Sequence, residues 1–133
     1  ENIKNFDNTA VDLVIERDSV ERGNREIRAN SVTVQPGVTV ETNNALTITA
    51  TGGGLTAADA ILKAGKQLTL KAENGIINLQ GGEIQYGDGA TATGDETRVD
   101  NLRIFESDGR ELEAGELSIT GNATGTPERG EID

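Results

Sequence analysis

Gln67-Leu68-Thr69-Leu70-Lys71-Ala72-Glu73-Asn74-Gly75-Ile76-Ile77-Asn78-Leu79-Gln80-Gly81-Gly82-Glu83-Ile84 carries the reading of the fold. Leu68 and Leu70 alternate with Gln67, Thr69 and Lys71, the period of two expected of a strand with one buried face. Asn74-Gly75 then turns the chain, and Ile76, Ile77 and Leu79 form a second short run. Gly81-Gly82 turns it again before Glu83-Ile84-Gln85-Tyr86.

The same phrase sounds on either side of this stretch. Ser31-Val32-Thr33-Val34-Gln35-Pro36-Gly37 and Leu46-Thr47-Ile48-Thr49-Ala50-Thr51-Gly52 precede it, and Leu117-Ser118-Ile119-Thr120-Gly121 follows as a fainter copy. A strand–turn rhythm of roughly 20 residues is the order of period of solenoid coils. The sequence therefore predicts an all-β fold, a parallel β-solenoid or β-helix of short coils with an N-terminal capping or edge strand. An antiparallel β-sandwich also has short strands at such spacing and is the alternative.

Composition agrees with a thin interior. The 133 residues fit one domain, and 2% are aromatic, namely Phe6, Tyr86 and Phe105. A sandwich ordinarily fills the gap between its sheets with large rings. Small branched residues suit strands facing each other across a narrow gap. Seventeen glycines against two prolines, Pro36 and Pro127, fit many tight corners.

Three regions follow. Residues 1–26 hold a strand at Val11-Asp12-Leu13-Val14-Ile15 and a charged stretch from Glu16 onward, expected to be a hairpin turn or cap rather than a helix because Gly23-Asn24 interrupts it. Residues 27–120 are the expected solenoid, with Leu55 to Leu62 open to a helical turn but favoured as strand at Ala60 to Leu62. Gly87 to Asp95 reads as a loop and Ser107-Asp108-Gly109 as a turn. Residues 121–133 read as a polar C-terminal tail.

Lys63-Ala64-Gly65-Lys66-Gln67-Leu68-Thr69-Leu70-Lys71-Ala72-Glu73-Asn74-Gly75-Ile76-Ile77-Asn78-Leu79-Gln80-Gly81-Gly82-Glu83-Ile84 resembles the repeat of filamentous haemagglutinin-type adhesins. Ala64-Gly65, Leu68, Leu70, Ala72, Gly75, Ile77-Asn78, Gly81-Gly82 and Ile84 fall on that family's Ala-Gly, Leu-x-Leu-x-Ala, Gly-x-Ile-Asn and Gly-Gly-x-Ile positions. The resemblance is clear over residues 63–84 and implies a right-handed parallel β-helix on an exported bacterial surface protein.

Several chemistries lack their residues. There is no His and no Cys, which removes imidazole bases, triads, thiolate metal sites and disulfides. A formal net charge of −11 opposes the positive field that nucleic acids and anionic membranes require. No apolar run reaches the length of a membrane span, so no membrane insertion is expected. Ser19, Ser31, Ser107 and Ser118 occupy turn-like or alternating polar positions rather than a nucleophile elbow. The carboxylates are spread over every turn with no standout pair, and Lys63, Lys66 and Lys71 sit on an outer face. No enzyme is expected.

Two binding candidates remain. Asp88, Asp95, Glu96 and Asp100 surround a Gly-rich loop and are candidate calcium ligands, because oxygen-rich turns can hold a hard cation; a solvated acidic loop is the competing reading, and no other cofactor is expected. Tyr86 is the candidate platform for a glycan or host surface. Asn122-Ala123-Thr124 satisfies the glycosylation sequon, a triplet common by chance in such a chain.

A solenoid leaves each end as an open strand edge that must be capped or paired. Val11, Leu13, Val14 and Ile15 are the candidate assembly strand. The expectation is a secreted or cell-surface structural protein, a subunit of a filament assembled from copies of itself by strand addition or end-to-end stacking. The alternative is a monomeric adhesin module that binds a carbohydrate or host surface. A chain that begins at Glu1 and contains no Met is expected to be a processed product or a fragment.

Overall fold

The computed structural model describes residues 4–108 and 111–133. The first coils are β1 (Phe6–Ile15) with β2 (Ser19–Glu21), and β3 (Arg25–Val34) with β4 (Thr39–Thr42). Two three-strand coils follow: β5 (Leu46–Ala50), β6 (Leu55–Thr56) and β7 (Ile61–Ala64), then β8 (Gln67–Ala72), β9 (Ile76–Asn78) and β10 (Glu83–Tyr86). The chain closes with β11 (Gly89–Arg98), β12 (Arg103–Asp108), β13 (Glu111–Ala114), β14 (Glu116–Thr124) and β15 (Glu131–Ile132). Every pairing between these strands is parallel except β12 with β13. The protein is a β-solenoid of about five turns, and the antiparallel sandwich is excluded.

Each coil contributes to three parallel ladders. The first ladder stacks Phe6, Ile27, Ile48, Leu70, Ala92 and Ile119. The second stacks Leu13, Val32, Leu55, Ile77, Thr97 and Ala123. The third stacks Val40, Leu62, Ile84 and Ile104. From Ile27 to Leu70 the first file steps every 21 or 22 residues, so the period expected from sequence is the rung spacing. The step from Ala92 to Ile119 is longer because the β12–β13 hairpin leaves the coil before β14 rejoins it.

Burial follows the files. Leu46, Ile48, Leu55, Leu62, Leu68, Leu70 and Ile77 are each fully buried, and the core is one continuous aliphatic cluster. Burial of each such side chain is worth about 1.5–3 kcal/mol. Backbone hydrogen bonds between rungs satisfy the strand groups that this burial removes from water.

The corners explain the glycines. Where the second ladder passes to the third, four successive coils make a four-residue turn, closed by Val38 N–H to Gln35 O, Ala60 to Ala57, Gly82 to Leu79 and Leu102 to Val99. The third residue of each turn is left-handed: Gly37 (φ 81°), Asp59 (58°), Gly81 (69°) and Asn101 (60°). Gly, Asn and Asp are the residues that tolerate this region. At the corner before the first ladder the constraint is space, since a Cβ on Gly87 would lie 1.9 Å from the Gly65 carbonyl oxygen.

Four expectations need correction. The region boundary at 26/27 cuts through β3, because β1 pairs in register with β3 and is itself the first rung. The charged stretch after Glu16 is not a hairpin but β2 and the start of β3: Ser19, Glu21, Arg25 and Ile27 lie on inward files, and Asp18 and Arg25 act as caps at this end. Gly87 to Asp95 is largely β11 rather than a loop, because Ala90 and Ala92 stack on Leu68 and Leu70 and tertiary pairing overrides weak strand propensity. Residues 121–133 are not a free tail, since β14 reaches Thr124 and β15 pairs with its start. The expected turn at Ser107-Asp108-Gly109 falls partly outside the described residues.

Candidate functional site

The ends of the solenoid are where backbone groups lack a neighbouring rung. Among the described residues, β1 pairs only with β3 and β2 only with β4, so one edge of each faces outward. Along β1 the side chains alternate. Leu13 and Ile15 point inward, half-buried against the core together with Phe6, whereas Val14 points outward and is 46% exposed. Val11 is half-buried at the bend between the first and second ladders. Phe6, Leu13, Ile15 and Ile27 bound a recess of about 280 Å³, with Ser19 on its polar side.

Half of this end is closed by polar side chains. Arg25 occupies the interior file that continues as Leu46, Leu68, Ala90 and Leu117, and it is 2% exposed. Its Nη1 donates to the carbonyls of Ser19 (2.9 Å) and Glu41 (3.0 Å), its Nη2 to Ser19 Oγ (2.7 Å), and its Nε to the Lys4 carbonyl (2.9 Å). Burial pushes the guanidinium pKa down, with the Glu21 charge opposing that shift. Asn5 Oδ1 accepts from Glu26 N–H at 2.9 Å and Asp18 Oδ1 from Thr39 N–H at 2.9 Å, side chains standing in for an absent rung. These bonds fill the places just before β1 and β2, whose outer edges carry no neighbouring strand among the described residues, residues 12–15 on the second ladder included.

The opposite end is covered on two ladders. β15 lies on the outer edge of β14, and Ile119 N–H donates to the Asp133 carbonyl at 3.0 Å. β13 folds back antiparallel on β12, while Ile104 N–H donates to the Arg129 carbonyl at 2.8 Å. The Arg129 guanidinium sits 4.9 Å from the centre of the Phe105 ring, a cation–π contact that pins this crossing. Residues 121–124, on the second ladder, have no strand on their outer side among the described residues. At this end the second ladder is thus the one left without an outer strand among the described residues.

The other candidates fare differently. Asp88 lies just before β11, Asp95 and Glu96 within it, and Asp100 at the next corner, so the coil spreads these acids over three corners instead of gathering them. Two already have partners: Glu96 accepts from Arg98 Nε and Thr124 Oγ1, each at 3.0 Å, and Asp100 Oδ1 accepts from Thr126 N–H at 3.1 Å. Those bonds from Arg98 and Thr124 hold the Glu96 carboxyl below its ordinary pKa. Among the described residues, no cluster of three or more acids could hold a metal ion, and the calcium assignment is withdrawn.

Tyr86 is also corrected. It is 6% exposed, and its hydroxyl accepts from Glu116 N–H at 2.8 Å, so its ring fills the core and offers no platform. The side chain expected outside the core lies inside it. Arg25 is the residue that sequence reading missed. It sits 21 residues before Leu46, and that offset was its one visible signal.

Among the described residues, no helix is long and apolar enough to cross a membrane. Comparison with protein-family models, curated proteins and solved structures returned no match.

Proposed function

We propose that this chain is a structural β-solenoid of a cell surface or secreted assembly, and that it attaches to its neighbours by adding strands at its open edges. The observation that carries this reading is the open edge itself: β1 and β2 have no outer strand among the described residues, and at the carboxy-terminal end residues 121–124 have none either. An open edge presents a row of unpaired N–H and C=O groups, and pairing them with another strand satisfies those groups. The half-buried Phe6, Leu13 and Ile15 add apolar surface that a neighbouring rung would cover. The likeness of residues 63–84 to surface adhesin repeats supports the extracellular setting.

The function so described is attachment and shape rather than bond-making. Sedimentation velocity and negative-stain microscopy of the pure protein across a concentration series test it. Oligomers or filaments that grow with concentration are expected. A monodisperse monomer at millimolar protein would overturn the reading.

A further inference from the structure

We infer that residues 125–133 are a detachable guard, a segment that opens as a local unit and, while in place, keeps the outer edges of β12 and β14 from taking up any other strand. This rests on the edge-attachment reading above and adds a control to it.

Main-chain bonds hold the segment. Asn101 N–H donates to Thr126 O (2.9 Å), Glu128 N–H to Leu102 O (2.8 Å), Ile104 N–H to Arg129 O (2.8 Å), Glu131 N–H to Gly115 O (2.9 Å) and Asp133 N–H to Leu117 O (3.0 Å). Side chains add little. Pro127 and Ile132 are half-buried, whereas Glu128, Arg129, Glu131 and Asp133 are exposed. The bond from Thr126 N–H to Asp100 Oδ1 and the stacking of Arg129 on Phe105 contribute two side-chain contacts. The net gain from one main-chain bond is of the same order as the cost of ordering one residue, so a segment held this way gains little beyond its own ordering. Segments with few buried apolar contacts open ahead of the core. The coil beneath is of another kind, because Leu102, Ile104 and Leu117 are fully buried.

What the segment covers is adhesive. Gly130 lies against Ile104, and Ile132 is in register with Leu117. Lifting the segment uncovers both apolar side chains. It also leaves the N–H groups of Asn101, Ile104 and Ile119 and the carbonyls of Leu102 and Leu117 without these partners. Natural sheets blunt an edge by laying a loop or a short strand over it. Residues 125–133 do so on β12 and on the start of β14, and they leave residues 121–124 bare.

Seating depends on one glycine. Gly130 has a φ of 99°, and a Cβ there would lie 2.5 Å from Ile104 Cβ and 2.7 Å from Gly115 O. Ile104 is held by the core, so the segment is the side that must give way. Gly130→Ala therefore lifts the guard and spares the interior.

The test is amide hydrogen exchange on the full chain, unmodified and Gly130→Ala. In the unmodified chain the amides of Ile104, Ile119, Glu128 and Glu131 should exchange faster than those of Ile61 and Glu83, whose bonds to Val38 O and Ala60 O lie between interior coils. Gly130→Ala should speed the first set about tenfold, the equivalent of one lost main-chain bond, and leave the second set unchanged. Exchange of both sets at one rate, or equal loosening of every coil, would overturn this inference alone. Sedimentation velocity then reads the masking, and Gly130→Ala should associate at lower concentration than the unmodified chain. Association that Gly130→Ala does not alter would overturn the guard role while leaving edge attachment intact. No association of either chain would overturn both.

Discussion

Replacing Gly87 with Ala tests whether close rung stacking, rather than glycine's backbone freedom, fixes the corner before the first ladder. The added Cβ would lie 1.9 Å from Gly65 O and 2.8 Å from Gly65 C, whereas ordinary contact begins at 3.4 Å. Relief requires the rungs to part by about 1.5 Å at this corner. That stretches the bonds from Gly87 N–H and Asp88 N–H to Lys66 O, both now 3.1 Å, beyond hydrogen-bonding range. Two lost backbone bonds at about 1 kcal/mol each, with partly buried groups left unsatisfied, predict a loss of about 2–4 kcal/mol. Reduced entropy of the unfolded chain returns about 0.4–1 kcal/mol. Gly37→Ala is the control, because its φ is +81° but nothing lies within 4 Å of the added carbon; its cost should be the left-handed penalty of about 1–2 kcal/mol. Urea unfolding followed by far-ultraviolet circular dichroism measures both. If Gly87→Ala proves no worse than Gly37→Ala, steric stacking does not set this corner.

Three further outcomes are expected. Thr97 Oγ1 is buried without a hydrogen-bond partner in a file of Val, Leu and Ile, so Thr97→Val should stabilise by about 1 kcal/mol in the same urea assay; a destabilised variant would show that the hydroxyl is engaged. Arg25→Ala leaves four acceptors at the amino-terminal end without their donor and should cost about 2–4 kcal/mol, with amide exchange rising first in β1 and β2; uniform exchange across all coils would contradict the capping role. Asp12 accepts from Asn30 Nδ2 and Ser31 Oγ, and these bonds hold its carboxyl below the ordinary 3.8, as those from Arg98 and Thr124 hold Glu96 below 4.5. A carboxyl depressed in the folded state contributes stability above its unfolded pKa and loses it as pH falls through the folded one. Stability should therefore drop as pH goes below about 4.5, and Asp12→Asn combined with Glu96→Gln should flatten that drop.

Much of the fold was legible because the solenoid repeats its own evidence. Leu46 and Ile48, then Leu68 and Leu70, alternate at one offset, and each rung confirms the next. Coils that fill the interior with other residues were harder to read. Ala90 and Ala92 in β11 occupy the positions of Leu68 and Leu70, but alanine carries little strand preference, and their role is set by the rung beneath. Arg25 hid in a charged stretch for the opposite reason, a cation standing in an aliphatic file. The β1 edge was legible as an apolar strand, yet its bond to β3 was not, since Asp7, Asn8 and Thr9 give no apolar alternation. Closure of the carboxy-terminal end was invisible, because β15 is two residues long and held by backbone groups that any sequence supplies.

The β12–β13 hairpin shows that a coil can depart from its course and return with the ladders still in step. Position along the axis is stored in main-chain pairing, and side-chain identity on such an excursion is free to drift. Lineages sharing this scaffold could diversify their outlines by lengthening that one detour, each acquiring a distinct silhouette on an otherwise uniform rod.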